Sequence, residues 1–223
     1  MNQPLRQRLV AELIGTAMLL AAIVGSGIMG ERLAAGNVAV ALLANSIATG
    51  GALIALILAL GPVSGAHLNP VVTLSVASQR GMVWREASAY VLAQIAGAFA
   101  GVGLAHLMFG LPLFFASQHA RTGSSQLLSE FVATFGLVMV IWGTVRSNAA
   151  LVAFAVAAYI VGACWFTAST SFANPAVTLA RSVSDTFAGI RPVDAPGFIL
   201  AQIGGAGAAT GLTRWLFSKR DSL

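Results

Sequence analysis

The chain has 223 residues, 57% of them hydrophobic and only 9% charged, with a mean hydropathy of +0.85. That is too apolar for a soluble domain of this size, so the sequence reads as an integral, multi-pass membrane protein whose main partner is the lipid bilayer. The formal charge of +5 is dispersed over span ends, which argues against nucleic acid as a partner, and the single Cys164 excludes an intrachain disulfide and supplies no metal motif.

From the N-terminus, Arg6 and Arg8 precede an apolar run ending near Gly25-Ser26-Gly27, an order that resembles a signal peptide. Glu12 argues otherwise, because a carboxylate interrupts the apolar region of a signal. Moreover, Ala11-Glu12-Leu13-Ile14-Gly15-Thr16 returns as Ser129-Glu130-Phe131-Val132-Ala133-Thr134, so the run is the first span of a repeat. A second span is predicted over about 38–60, followed by a re-entrant stretch at 61–68 and a short helix. Trp84 and Arg85 mark an interface before a third span over about 87–108. Residues 109–125, with Gly110, Pro112 and Gly123, form a connector. Spans four to six then fall at about 126–145, 149–167 and 195–217, with a second short helix between the last two.

Leu92-Ala93-Gln94-Ile95-Ala96-Gly97-Ala98 in the third span returns as Leu200-Ala201-Gln202-Ile203-Gly204-Gly205-Ala206 in the sixth. The chain therefore reads as one domain, 1–223, made of a first repeat (1–115) and a second (126–223). Three spans per repeat is an odd number, which inverts the second copy about a pseudo-two-fold axis in the membrane plane. Arg6, Arg8, Arg80, Arg85, Arg146, Arg214, Lys219 and Arg220 fall on one side, and Arg32, Arg121, Arg181 and Arg191 on the other. This bias predicts that both termini are cytoplasmic, and the expected location is the plasma (inner) membrane.

The two short helices begin at His67-Leu68-Asn69-Pro70-Val71-Val72-Thr73-Leu74 and at Phe172-Ala173-Asn174-Pro175-Ala176-Val177-Thr178-Leu179. Asn is a preferred N-cap, and Pro at the first helical position gives up an N–H that would lack an intrahelical partner anyway. A helix from Pro70 to about Gln79 is roughly 15 Å long, half of a ~30 Å hydrocarbon core, so it reaches only the midplane. Two such helices entering from opposite faces bring two positive dipole ends together, a field that opposes protons and alkali cations. Non-helical backbone at that depth must face protein or a water-filled cavity, so two such starts imply a lined pathway.

The paired motifs Asn69-Pro70-Val71 and Asn174-Pro175-Ala176, with Ser64-Gly65-Ala66-His67, the repeated Glu-x-x-x-Thr and the Ala-Gln-Ile-x-Gly-Ala pair, resemble the aquaporin and glycerol-facilitator (major intrinsic protein) family. The resemblance spans nearly the whole chain, with Val71 replacing the usual Ala. It implies an all-α membrane protein of six transmembrane helices and two re-entrant half-helices in an inverted repeat, assembled as a homotetramer and needing no cofactor. It also implies an outer selectivity filter at Thr49, Gly162, Ser171 and Val177, found by counting from the two Asn residues. The family usually carries an Arg at the last position and an aromatic ring at another, and this chain has neither. The filter is then open, so water, glycerol, urea and metalloid hydroxides such as arsenious acid become the expected solutes, as in the AqpS-like, arsenical-permeable bacterial branch.

Glu12 and Glu130 are carboxylates within spans, a pattern that by default marks function. Neither has a His or Lys in its own span to continue a proton relay, so both are read as structural acceptors for the backbone leading into the half-helices, a reading the resemblance supports. His67 is read as a hydrogen-bonded loop histidine, with gating at the inner mouth as the sharper alternative. Arg181 is one turn beyond Val177; it restores positive charge at the outer mouth unless, as such residues more often do, it snorkels to headgroups or caps a loop. Cys164 is two positions from Gly162 and so about 200° off the filter face, which predicts poor inhibition by mercurials.

The chain shows no nucleophile–base pair, no phosphate-binding glycine loop and no His or Cys cluster, which excludes an enzyme in favour of a passive channel. Two rivals remain. One is a narrow, water-selective aquaporin, and the other a secondary transporter, since broken helices and inverted repeats occur there too.

Overall fold

In the computed structural model, which describes residues 3–218, the predicted spans and both short segments are helical. The helices are α1 (Leu5–Leu33), α2 (Val38–Ser64), α3 (Pro70–Ser78), α4 (Trp84–Met108), α5 (Ser124–Asn148), α6 (Val152–Phe166), α7 (Pro175–Arg181) and α8 (Ala195–Leu216). Lys219 and Arg220, counted above in the charge bias, lie outside the described residues.

α1 runs past the Gly25-Ser26-Gly27 stretch expected to end it. These glycines are contact points and not terminators: a Cβ on Gly30 would stand 3.1 Å from the Ala41 carbonyl, and one on Gly27 3.5 Å from Ala188. Small residues of this kind let helix backbones approach closely in a membrane. The same device fixes the pairs α1–α4 and α5–α8, where a Cβ on Gly97 would collide with the Leu13 carbonyl and one on Gly205 with the Phe131 carbonyl.

Among the described residues, four segments are long and apolar enough to cross a membrane: Leu5–Leu33, Val38–Ser64, Trp84–Met108 and Ser124–Phe166. The last has 43 residues and is broken at Asn148, whose extended backbone (φ −158°, ψ 98°) and side-chain cap on the Ala150 amide (3.1 Å) start a 3-10 turn over Ala149–Leu151. The chain then returns along itself. Gln126 Nε2 donates to the Ala168 carbonyl (3.0 Å) and Tyr159 Oη to that of Val132 (3.3 Å), so α5 and α6 are two antiparallel spans. α8, with 22 residues, is long enough to be the sixth.

Burial is inverted relative to a soluble protein. Glu12, Glu130, Gln94, Gln202 and His106 are fully buried, whereas Ile14, Met18, Ile47, Leu92, Leu200 and Ile203 are exposed. The outward apolar face suits lipid, and the polar groups are spent on holding irregular backbone inside.

Candidate functional site: a lined cavity at the junction of two half-helices

Each half-helix is started by its Asn. Asn69 Oδ1 accepts from the Val71 amide (3.1 Å), and Asn174 Oδ1 accepts from the amides of Ala176 (3.0 Å) and Val177 (3.3 Å). The side-chain amides cross over: Asn69 Nδ2 donates to the Ala173 carbonyl and Asn174 Nδ2 to the Leu68 carbonyl, both at 2.8 Å. The two helix starts are thus fastened to each other. Pro70, Val71, Pro175 and Ala176 are buried behind this junction, while both Asn residues line the cavity.

The loops that deliver the Asn residues carry unusual backbone. Ala66 (φ 44°), Leu68 (φ 49°), Ser171 (φ 53°) and Ala173 (φ 47°) are left-handed without being glycine, a conformation that costs on the order of 1 kcal/mol or more each. The buried carboxylates hold them there. Glu12 accepts from Ser64 Oγ (2.6 Å), the amides of His67 (3.0 Å) and Leu68 (2.7 Å), and Gln94 Nε2 (2.8 Å). Glu130 accepts from the amides of Phe172 and Ala173 (both 2.9 Å) and from Gln202 Nε2 (2.7 Å). Gln94 and Gln202 each also donate to a half-helix threonine, Thr73 (2.9 Å) and Thr178 (2.8 Å). Neither carboxylate lines the cavity.

The cavity has a volume of about 310 Å³ and a predominantly apolar wall. α2 contributes Asn45, Thr49, Leu53 and Ile57, and α6 contributes Val152, Val156, Ile160 and Cys164. Both sets recur every four residues, the spacing of one helix face. Of the expected filter positions, Thr49, Ser171 and Val177 are on this wall.

Gly162 is not on the wall. It is exposed on another face of α6, a Cβ added there would meet nothing within 4 Å, and Cys164 stands on the cavity side instead. The last wall residue of α2, Ile57, lies twelve residues before Asn69, whereas that of α6, Cys164, lies ten before Asn174, so the two walls are out of register by two residues. A shift of two residues on a helix turns the side chain to the opposite face. Cys164, expected to point away from the filter, stands on the cavity wall.

His67 lines the cavity, with Nδ1 3.1 Å from Thr73 Oγ1 and its ring 5.4 Å from that of Tyr90. Arg181 also lines it and does not reach outward to headgroups. It is buried, its Nε donates to the Ala188 carbonyl, and its guanidinium carbon is 3.4 Å from the centre of the Phe172 ring. Arg121 approaches the same ring at 5.0 Å. At the other end Trp142 lines the cavity, anchored by Nε1 to Ser75 Oγ (2.8 Å), with Arg146 over its ring at 5.2 Å.

Sequence reasoning missed Phe172, Trp142, Asn45 and Arg121. Phe172 was within reach, because it precedes Asn174 by two residues as His67 precedes Asn69. Asn45 was also within reach, being one turn from Thr49 on the same face. Arg121 is in the connector, where no periodicity points to a contact.

The family model described as Major intrinsic protein matches residues 2–166. Aquaglyceroporin AqpS from Rhizobium meliloti (strain 1021) is 55% identical over 212 residues, which cover 95% of this chain and 91% of that protein. Aquaporin NIP1-1 from Oryza sativa subsp. japonica is 35% identical over 150 residues, 66% of this chain and 52% of the rice protein. Among solved structures, the X-ray structure of the aquaglyceroporin from Plasmodium falciparum matches with a TM-score of 0.71 and 20% identity, covering 97% of each chain, a likeness of fold. The chain belongs to the major intrinsic protein family, the aquaporins and glycerol facilitators: it is an integral membrane protein that passes small uncharged solutes passively, and it is not an enzyme.

Proposed function

We propose that the chain conducts water, glycerol, urea and metalloid hydroxides such as arsenious acid down their gradients, through an outer constriction wider than that of a water-selective pore. The observation that carries this reading is Val177, a short aliphatic side chain on the cavity wall where the family usually extends an arginine. Thr49, Ser171 and Cys164 complete the ring in this reading, with Cys164 in place of Gly162. None is long or charged, so the loss of a guanidinium leaves volume for a three-carbon polyol. The similarity to a protein named an aquaglyceroporin supports the same solute class.

The narrow, water-selective pore is the rival that one observation favours: Arg181 covers the Phe172 ring on the same wall, one turn beyond Val177. Secondary transport lacks a coupling site in this reading, because Glu12 and Glu130 are engaged by backbone and amide donors away from the cavity. We place the two repeats at 1–115 and 126–223, the assembly as a homotetramer, and the termini on the cytoplasmic side of the plasma membrane.

Stopped-flow light scattering of proteoliposomes tests the proposal. Glycerol, urea and arsenious acid should all enter faster than into empty liposomes, with rates unchanged when proton and sodium gradients are collapsed. Water flux without glycerol flux would establish the narrow pore instead. In planar bilayers the protein should carry no steady proton or alkali-cation current.

A further inference from the structure

The outer mouth holds two arginines whose side chains have no carboxylate partner, Arg181 buried and Arg121 half-buried. Among the described residues the ion pairs are Arg8–Glu86 and Arg191–Asp194. The described acids of the second half are committed elsewhere: Asp194 also accepts from the Arg121 amide (2.9 Å), Asp185 from that of Gln118 (2.8 Å), and Glu130 from the half-helix loop. Arg121 is itself satisfied, donating to the carbonyls of Gly189 (2.7 Å), Ser169 (3.2 Å) and Phe187 (3.5 Å). Arg181 is not. Its Nε is on the Ala188 carbonyl, and among the described residues no acceptor takes the hydrogens of Nη1 and Nη2. The residue is nonetheless only 6% exposed, in the cavity wall.

A second group on that wall is also unpaired. The Ser171 hydroxyl is buried and makes no hydrogen bond among the described residues. A buried guanidinium without a counter-charge is strongly unfavourable, and the face of one aromatic ring offsets only part of that cost. The free edge of a guanidinium presents two parallel N–H donors, the match for a carboxylate.

We propose that the outer end of the cavity is a binding subsite for a small monocarboxylate. Nη1 and Nη2 of Arg181 take its two oxygens, Ser171 Oγ donates a third hydrogen bond, and its short apolar tail faces Val177. The anion docks there without passing, because the wall below is aliphatic: Leu53, Leu137, Val156 and Ile160 offer a charge no replacement for water. A docked anion therefore competes with neutral solutes. That second consequence rests on the reading of this cavity as the solute path, whereas binding itself does not.

Acetate is the probe, at near-neutral pH where a carboxylate is ionised. Binding is read by saturation-transfer NMR on the acetate methyl with the purified full-length protein, and competition by glycerol flux in proteoliposomes with acetate against chloride at equal ionic strength. The wild type should give a saturable signal, and acetate should slow glycerol entry more than chloride does. Arg181→Gln should weaken binding about tenfold or more and make acetate no more inhibitory than chloride. Arg181→Lys, which keeps the charge and loses the fork, and Ser171→Ala should each weaken it less, and they decide the matter if the Gln variant does not fold. No saturable signal in the wild type, or affinities unchanged in Arg181→Lys and Ser171→Ala, overturns the subsite. Saturable binding that leaves glycerol flux untouched upholds the subsite and overturns the reading of the cavity as the path.

Discussion

Seven residues past its Asn, the first half-helix puts Val76 on the cavity wall and the second puts Arg181 there; two residues before it, the pair is His67 and Phe172. Closer to the junction the halves agree. Val72 and Val177 line the wall three residues past each Asn, Leu19 and Leu137 seven residues past each buried Glu, and the Asn–carbonyl bonds are exchanged at 2.8 Å in both directions. The difference separates two kinds of constraint. Positions that satisfy buried backbone have few chemical solutions and repeat, whereas positions that meet solvent at a mouth are free to diverge and set what each mouth admits.

The largest effects should come from breaking the shared frame. Replacing Glu12 by Ala removes the acceptor of four hydrogen bonds and replacing Glu130 by Ala that of three, and each buried backbone donor left unpaired costs about 1–3 kcal/mol. Neither variant should yield monodisperse protein in detergent. If one variant tolerated the loss and the other did not, the equivalence of the halves would fail at its base. Next come Gly97→Ala and Gly205→Ala, where the new methyl meets a backbone carbonyl that cannot rotate away. Each should cost about 1–3 kcal/mol and lower the unfolding temperature by similar amounts.

Smaller effects sharpen the differences between the mouths. With Cys164 on the wall, a membrane-permeant mercurial should slow solute entry into wild-type proteoliposomes and leave Cys164→Ser unaffected; block that persisted in Cys164→Ser would put the reactive site elsewhere. The smallest effect should be at Asp194, outside the spans, whose carboxyl is held below the usual range by its hydrogen bond to Arg191. A depressed folded-state pKa gives stability that is present above the ordinary carboxylate value, ~3.9, and lost as pH falls through the lower folded value. Acid titration of the unfolding temperature should therefore show a slightly steeper fall below about pH 4 for wild type than for Asp194→Asn.

Most of the frame is legible in the sequence because its signals are local or repeated. Asn-Pro starts a helix wherever it stands, and the recurrence of Glu12 as Glu130 and of Gln94 as Gln202 pairs the spans without reference to distance. The ends of α1 and the face of α6 were not legible. Gly25 and Gly27 read as terminators until their neighbours Phe109, Ala188 and Asn45 are known. Gly162 was placed by counting from Asn174, and a count carries over only if the intervening loop has the assumed length. Arg181 and Arg121 meet at Phe172 through a connector and a loop, where nothing periodic records the encounter.

The proposed open outer constriction is tested most directly by Val177→Arg, read as paired glycerol and water permeabilities in the same proteoliposomes. Arginine at this wall position adds several methylenes and five N–H donors beside Thr49, Cys164 and Ser171. Glycerol and arsenious acid entry should fall sharply while water permeability is largely kept, since water is small and exchanges hydrogen bonds with the guanidinium. If the variant, intact as an oligomer, passes glycerol as fast as wild type does, Val177 does not border the constriction and the account of an open filter is wrong.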